Sequence, residues 1–266
     1  MRYELIHAHN PGPYTGAGNN TYLIPGRAPV LIDAGTGDSR HLAGVAAALV
    51  QSPSTLLTRI LVTHGHVDHA SGIGALLAKW PEAVAAKMPW PERDDRYAAC
   101  WSAIVDGALI AAGDTTLRAV HTPGHAPDHL CFFDEASGIL FTGDLVVSGS
   151  TVIIPASSGG DLVAYLASLR RVLSLQPVRL LPAHGPAIDD PAALVRQYLV
   201  HRQSREDQIL AAIRVGVDTV DRLVSHVYEE LDEQLVSAAR ESVLAHLEKL
   251  RSEERVRAEA NRWVSR

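Results

Sequence analysis

Thr63-His64-Gly65-His66-Val67-Asp68-His69 places three imidazoles and a carboxylate within six positions, directly after the apolar run Ile60-Leu61-Val62. Imidazole nitrogen and carboxylate oxygen together suit zinc or a similar borderline metal. His64 and His66 are two apart and can project alike from an extended strand end. Asp68 and His69 follow in a turn and can face a second point, so one loop could serve two metals. Three more loops put a polar donor after an apolar run: Thr122-Pro123-Gly124-His125, Thr142-Gly143-Asp144 and Pro182-Ala183-His184-Gly185. The seven donors divide chemically into His64, His66 and His125 for a first metal, Asp68, His69 and His184 for a second, and Asp144 as a bridge. Water or hydroxide takes the remaining bridging position. Two dications about 3.5–4 Å apart lower the pKa of that water from about 15.7 toward roughly 7, which supplies a nucleophile at neutral pH without serine or cysteine.

Asp68 sits beside the bridge in this scheme and is a catalytic candidate as well as a ligand. His129, four residues after His125, is the second candidate, either as proton donor to the leaving group or as support for a ligand. Asp33 ends a strand and could hold a ligand imidazole in its tautomer or cap a turn. Glycines 65, 124, 143 and 185 let the backbone turn sharply at the donors. A purely structural metal site does not fit, because such cages are closed and rich in cysteine.

The elements that must position these groups alternate. Asn20–Ile24 and Pro29–Asp33 read as strands around a Pro-Gly turn, followed by a helix capped by Asp38 or Ser39 and a strand over Arg59–Val62. A helix over Ser71–Trp80, a strand over Thr116–Val120 and a hairpin pairing His129–Phe133 with Gly138–Phe141 follow. Then come a helix over Asp161–Leu175 and a strand over Val178–Leu181. This order predicts α/β layers, two similar halves packed sheet to sheet with helices outside. Beyond Pro191 the period is helical, with stripes at Val220, Leu223, Val224, Val227 and at Leu235, Ala239, Val243, Leu247, Leu250. The segment Arg255–Glu259 reads as a two-stranded wing or a ragged helix. The division is placed as residues 1–204 and 205–266.

The chain has 266 residues, 47% apolar and 20% charged, which suits a globular protein with a sizeable core. No apolar run is long enough to span a membrane and no leader pattern opens the chain, so a cytoplasmic location is expected. Cys100 and Cys131 lack C-x-x-C spacing and read as free thiols. The net charge is −6, and residues 201–266 hold 11 Lys/Arg against 13 Asp/Glu. A nucleic-acid binder normally shows a basic footprint. The arginines at 202, 205, 251, 255, 257, 262 and 266 alternate with acids and read as a solvated helix face.

In their order and approximate spacing, H-x-H-x-D-H, T-P-G-H, T-G-D and P-A-H-G resemble the metallo-β-lactamase superfamily. The resemblance implies a four-layer αββα sandwich with a binuclear site on one edge. A finer resemblance, to the lactamase-beta-like protein 2 group, rests on Asn10-Pro11-Gly12-Pro13, Asn20-Thr21-Tyr22-Leu23, Pro182–Pro186 and Tyr198–Ile209. It implies a small helical, winged-helix-like domain at the C-terminus. That group includes single-strand-preferring endoribonucleases, and related members are thioesterases on carrier-bound polyketides or general hydrolases. True β-lactamases of this fold usually lack the bridging aspartate, so Asp144 argues against antibiotic hydrolysis. The expectation is therefore a hydrolase with two zinc ions (iron or manganese being served by the same donors) that cleaves an ester, thioester or related acyl bond. Its substrate would be a small-molecule or carrier-bound acyl compound. The alternative is a metal-dependent endoribonuclease on single-stranded RNA. His201, Arg202 and Arg205 lie on a helix that could approach the metal edge and bind a substrate phosphate or carboxylate, or instead tie two domains together. Trp90, Tyr97 and Trp101 could line an apolar pocket in a gating segment or simply pack. The C-terminal helices offer a surface for a homodimer.

Overall fold

The computed structural model describes residues 1–228 and 230–266. The N-terminal half forms β1 (Glu4–His7), β2 (Asn20–Ile24), β3 (Val30–Ile32), α1 (Ser39–Val50), β4 (Arg59–Leu61), α2 (Val67–Ala70), α3 (Ile73–Lys79), β5 (Val84–Lys87), α4 (Pro91–Asp94) and β6 (Ser102–Ala103). The second half forms β7 (Leu109–Ala112), β8 (Thr115–His121), β9 (Leu130–Asp134), β10 (Ile139–Gly143), α5 (Leu162–Leu175) and β11 (Arg179–Pro182). A six-stranded sheet runs β1-β2-β3-β4-β5-β6 and a five-stranded sheet runs β11-β10-β9-β8-β7.

Both faces of each sheet are covered, so the central strands read as unbroken apolar runs whose alternate residues enter different cores. In β3, Val30 and Ile32 point between the sheets, while Leu31 points outward to Val45 and Leu49 of α1 and Ile73 and Leu76 of α3. In β9, Leu130 and Phe132 meet the first sheet, while Cys131 and Phe133 face Tyr165, Leu166 and Leu169 of α5. The layers are thus helix, sheet, sheet, helix. The helix expected over Ser71–Trp80 is instead α2 and α3, separated at Gly72. A Cβ there would meet the Ala34 carbonyl at 2.2 Å, so the backbone of the break packs directly on the loop after β3.

The rest of the chain folds as α6 (Pro191–Arg214), α7 (Val220–Val227), α8 (Val236–Ser252), β12 (Val256–Glu259) and β13 (Arg262–Ser265). Asp190 caps α6 by accepting from Ala193 N at 3.0 Å, and Pro191 opens the first turn. The helix crosses residues 204 and 205 without a break. Its first half buries Val195 and Tyr198 against α5 and the second sheet; its second half buries Ile209, Leu210 and Ile213 against α7, α8 and the β12–β13 hairpin. Segment 255–259 is one strand of that wing. The tail arginines are paired with acids: Arg255 with Glu206 at 2.8 Å, Arg257 with Glu259 at 2.6 Å and Arg251 with Glu248 at 2.5 Å. Among the described residues, no helix is long and apolar enough to cross a membrane.

Candidate metal centre

Four loops at one edge of the sandwich deliver the donors. β4 leads through Thr63–His66 into α2, β8 leads to His125, β10 to Asp144 and β11 to His184. The structure brings all seven together in two groups. The ligand atoms of His64, His66 and His125 lie within 4.8 Å of one another, as do those of Asp68, His69, Asp144 and His184. Asp144 faces both. Its Oδ1 is 3.4 Å from His69 Nε2 and 3.3 Å from His184 Nε2, and its Oδ2 is 3.5 Å from His125 Nε2.

The hydrogen-bond pattern around the first group leaves lone pairs without protons. His125 Nδ1 donates to the Ile153 carbonyl at 2.7 Å, so its Nε2 is bare, and it faces His66 Nδ1 at 2.8 Å. His64 Nε2 meets the same His66 nitrogen at 3.0 Å. One proton on His66 can serve only one of those two acceptors, whereas a cation can serve all three nitrogens. In the second group Asp144 Oδ1 is buried with no hydrogen-bond partner among the described residues. The second-group separations of 3.3–3.5 Å match two atoms bound to one tetrahedral ion at about 2.1 Å each, which lie about 3.4 Å apart. The donor set fits two cations.

Charge is arranged differently in the two groups. Burial, then the neighbouring imidazoles, push His64 well below its ordinary pKa and His66 down to about 2. Against the cost of burial, the Asp68, Asp144 and Asp33 carboxylates hold His69 well above its ordinary value. Asp144 and Asp68 likewise raise His184 to about 10. Asp68 and Asp144 are in turn held below the usual carboxylate range, despite burial, by His69 and His184.

A second ring of contacts orients the donors. Asp33 Oδ2 accepts from His69 Nδ1 at 2.8 Å, and its Oδ1 accepts from Thr63 N at 2.8 Å and Thr63 Oγ1 at 2.9 Å. Asn19 Nδ2 donates to Asp68 Oδ2 at 3.0 Å, and Asn19 is clasped by Asn10 through contacts of 2.7 and 2.9 Å. Gly143, at φ 48°, lies so close to His129 that a Cβ would stand 2.8 Å from its Nε2. The contacts of Asp33 with Thr63 and of Asn19 with Asp68 join residues 30 and 49 apart in the chain, which strand-and-loop reading does not reveal.

A metallo-beta-lactamase superfamily model matches residues 14–184. The chain belongs to the metallo-β-lactamase superfamily. A beta-lactamase associated winged helix domain matches residues 219–263. A "Beta-lactamase-like protein 2 homolog" of Caenorhabditis elegans is 30% identical over 211 residues, covering 79% of this chain and 70% of the relative. An "Atrochrysone carboxyl ACP thioesterase" of Claviceps purpurea is 32% identical over 243 residues, covering 87% and 74%. The fold of a metallo-beta-lactamase family protein from Thermus thermophilus superposes with a TM-score of 0.83 at 21% identity, covering 99% and 98%.

In this superfamily hydrolase the metal edge opens into a cavity of about 550 Å³. His66, Asp68, His125, Asp144 and His184 line it, and Asp68 is a quarter exposed. Two sets of candidates lie away from this cavity. His129 does not line it: it is fully buried, its Nε2 accepts from Asp144 N at 3.0 Å and its Nδ1 donates to Thr122 Oγ1 at 2.8 Å. Burial pushes its pKa down to about 3, and of the two readings of its spacing these contacts match support for a ligand. His201, Arg202 and Arg205 do not line this cavity either. Buried Arg202 donates to the Val152 carbonyl and lies over the Tyr165 ring, Arg205 donates to the Val227 carbonyl at 2.8 Å and lies over Tyr228, and His201 faces a separate hollow beside Tyr198. Arg202 and Arg205 tie α6 to the loop after β10 and to the tail. Trp90 and Tyr97 pack behind the metal loop, with Tyr97 Oη donating to the Gly65 carbonyl at 2.8 Å.

Proposed function

We propose that the protein is a binuclear, zinc-dependent acyl hydrolase whose preferred substrate is a thioester, carrier-bound or small. The observation that carries this is Asp144, whose two oxygens face the two donor groups at the metal end of a cavity lined elsewhere by apolar and hydroxyl-bearing residues without a lysine or arginine among those described. His64, His66 and His125 would hold one ion, Asp68, His69 and His184 the other, with Asp144 shared. Iron and manganese are served by the same donor types. When bound, such a pair lowers the pKa of coordinated water and polarises the substrate carbonyl.

The chain's own groups do the rest. Asp33 keeps the His69 proton on Nδ1, and the Ile153 carbonyl keeps that of His125 on Nδ1, so both Nε2 atoms point inward. His129 fixes the backbone of Asp144. Asp68, whose Oδ2 is oriented by Asn19 and whose side chain lines the cavity, would take the proton of the attacking water. With His129 enclosed, the geometry suits a leaving group that departs as an anion. A thiol with a pKa of about 8.5 does so far more readily than an amide nitrogen. The thioesterase name of the Claviceps purpurea relative points the same way. The cavity lining holds no lysine or arginine among the described residues, which leaves RNA phosphates without counter-charge.

The test is hydrolysis of an acyl N-acetylcysteamine thioester and of labelled single-stranded RNA by zinc-loaded wild type and Asp68→Ala. Thioester cleavage that the substitution removes supports the reading. RNA cleavage lost in the same variant, with thioesters untouched by wild type, overturns it.

A further inference from the structure

Away from the metal edge the cavity is lined mainly by apolar residues, with Ser150, Thr151, Tyr228 and Ser242 among them, and this lining is not built by the metal-bearing sandwich alone. The loop after β10 contributes Val146, Val152 and Ile153, and the winged-helix tail contributes Leu231, Leu235 and Ala239. The tail is clamped in place. Ser157 Oγ and N bind the Glu241 carboxylate at 2.7 and 2.8 Å, Tyr14 Oη donates to the Gln234 carbonyl at 3.4 Å, and Ala245 of α8 is packed into the core beside α5. The tail thus places Leu231, Leu235 and Ala239 in the lining of the cavity that opens at the metal edge.

We propose that the winged-helix tail is the acyl-selecting wall, with Leu231, Leu235 and Ala239 favouring a neutral, mostly apolar acyl group over a short or charged one. This rests on the acyl-hydrolase reading above. With the scissile carbonyl at the polar end, the acyl group extends along this wall, and each methylene fully removed from water strengthens binding roughly fourfold. A charged acyl group would lose its hydration without gaining a partner there. Ala239 is small and buried, so it leaves volume that a larger residue would fill, and Leu235 stands at the rim, 37% exposed.

Wild type, Ala239→Trp and Leu235→Asp are compared as zinc-loaded full-length chains. Binding of acetate, hexanoate and decanoate is measured by calorimetry, and hydrolysis of the matching N-acetylcysteamine thioesters by thiol release. The expected wild-type preference for decanoate over acetate is at least about tenfold in both assays, falling to about threefold or less in each variant. Leu235→Asp changes a half-exposed position, so it keeps the test valid if Ala239→Trp fails to fold. A wild type without chain-length preference, or variants that retain it, overturns the proposal. If the acids bind with wall-dependent preference and no thioester is cleaved, the hydrolase reading fails and the wall stands. If every thioester is cleaved alike by all three proteins, the reading stands and the wall falls.

Discussion

Replacing Asp33 by asparagine isolates one charge behind the second donor group. Asp33 is buried at φ 65°, a left-handed conformation that asparagine also tolerates, so the backbone need not change. Its carboxylate accepts from Thr63 N, Thr63 Oγ1 and His69 Nδ1 within 2.9 Å. An amide offers one oxygen. If that oxygen stays with Thr63, the NH₂ group points at His69 Nδ1, and the imidazole must shift its proton to Nε2. That atom lies 3.4 Å from both Asp68 and Asp144, and once protonated it cannot ligate. Losing a carboxylate behind a ligand imidazole typically weakens metal affinity about 10–100-fold, or about 1.4–2.7 kcal/mol. If the amide turns the other way, the Thr63 donors lose their acceptor and the cost appears as about 1–3 kcal/mol of folding stability. Chelator competition and urea unfolding separate the two. The expected result is one weakened ion and one unchanged. Unchanged affinity for both ions with unchanged stability would refute the argument, as would preferential loss of the ion held by His64, His66 and His125.

Asp144→Ala removes a side chain that faces both groups; metal content should fall below two ions per chain and hydrolysis should vanish, as read by elemental analysis and thiol release. Lys87 is fully buried, 2.6 Å from Asp94 and 2.9 Å from Asp128, which is itself fully buried. Lys87→Met should therefore destabilise by about 3–5 kcal/mol in urea unfolding, with part of the loss recovered by adding Asp128→Asn. His41 is buried, its Nε2 donating to Thr21 Oγ1 at 2.8 Å, and burial followed by His9 lowers its pKa to about 4. The unfolded chain takes up that proton first, so stability is complete above about pH 6.5 and declines as the pH falls toward 4, by up to about 3 kcal/mol. His41→Asn should lose less stability than wild type between pH 7 and 4.5, measured by denaturant unfolding at each pH.

The convergence of the seven donors was legible because each follows an apolar strand, and β4 of one sheet ends at the same edge of the sandwich as β8, β10 and β11 of the other. The spatial grouping of His64, His66 and His125 apart from Asp68, His69 and His184 follows from that placement and the turn at α2. Asp33 announced itself only as a strand-end carboxylate whose partner was open. Asn19 was invisible because its contact with Asp68 depends on how the 10–19 loop folds back. For His129 spacing revealed proximity and not direction, which left two readings open: its ring turns to the backbone of Asp144 and does not line the cavity. The arginines on α6 misled for a related reason, since a helix that joins two domains presents to the interface what an isolated helix would present to solvent. Which residues form the cavity wall was not legible, because it is assembled from segments far apart in the chain, the loop after β10 and the start of α8.

The most direct test of the account is a zinc titration of metal-stripped protein that follows bound metal and thioester hydrolysis together. The account predicts saturation at two ions per chain, full activity only with both sites filled, and a return to one ion when His184 is replaced by alanine. Saturation at one ion with full activity, or hydrolysis undiminished in the stripped protein, would contradict it.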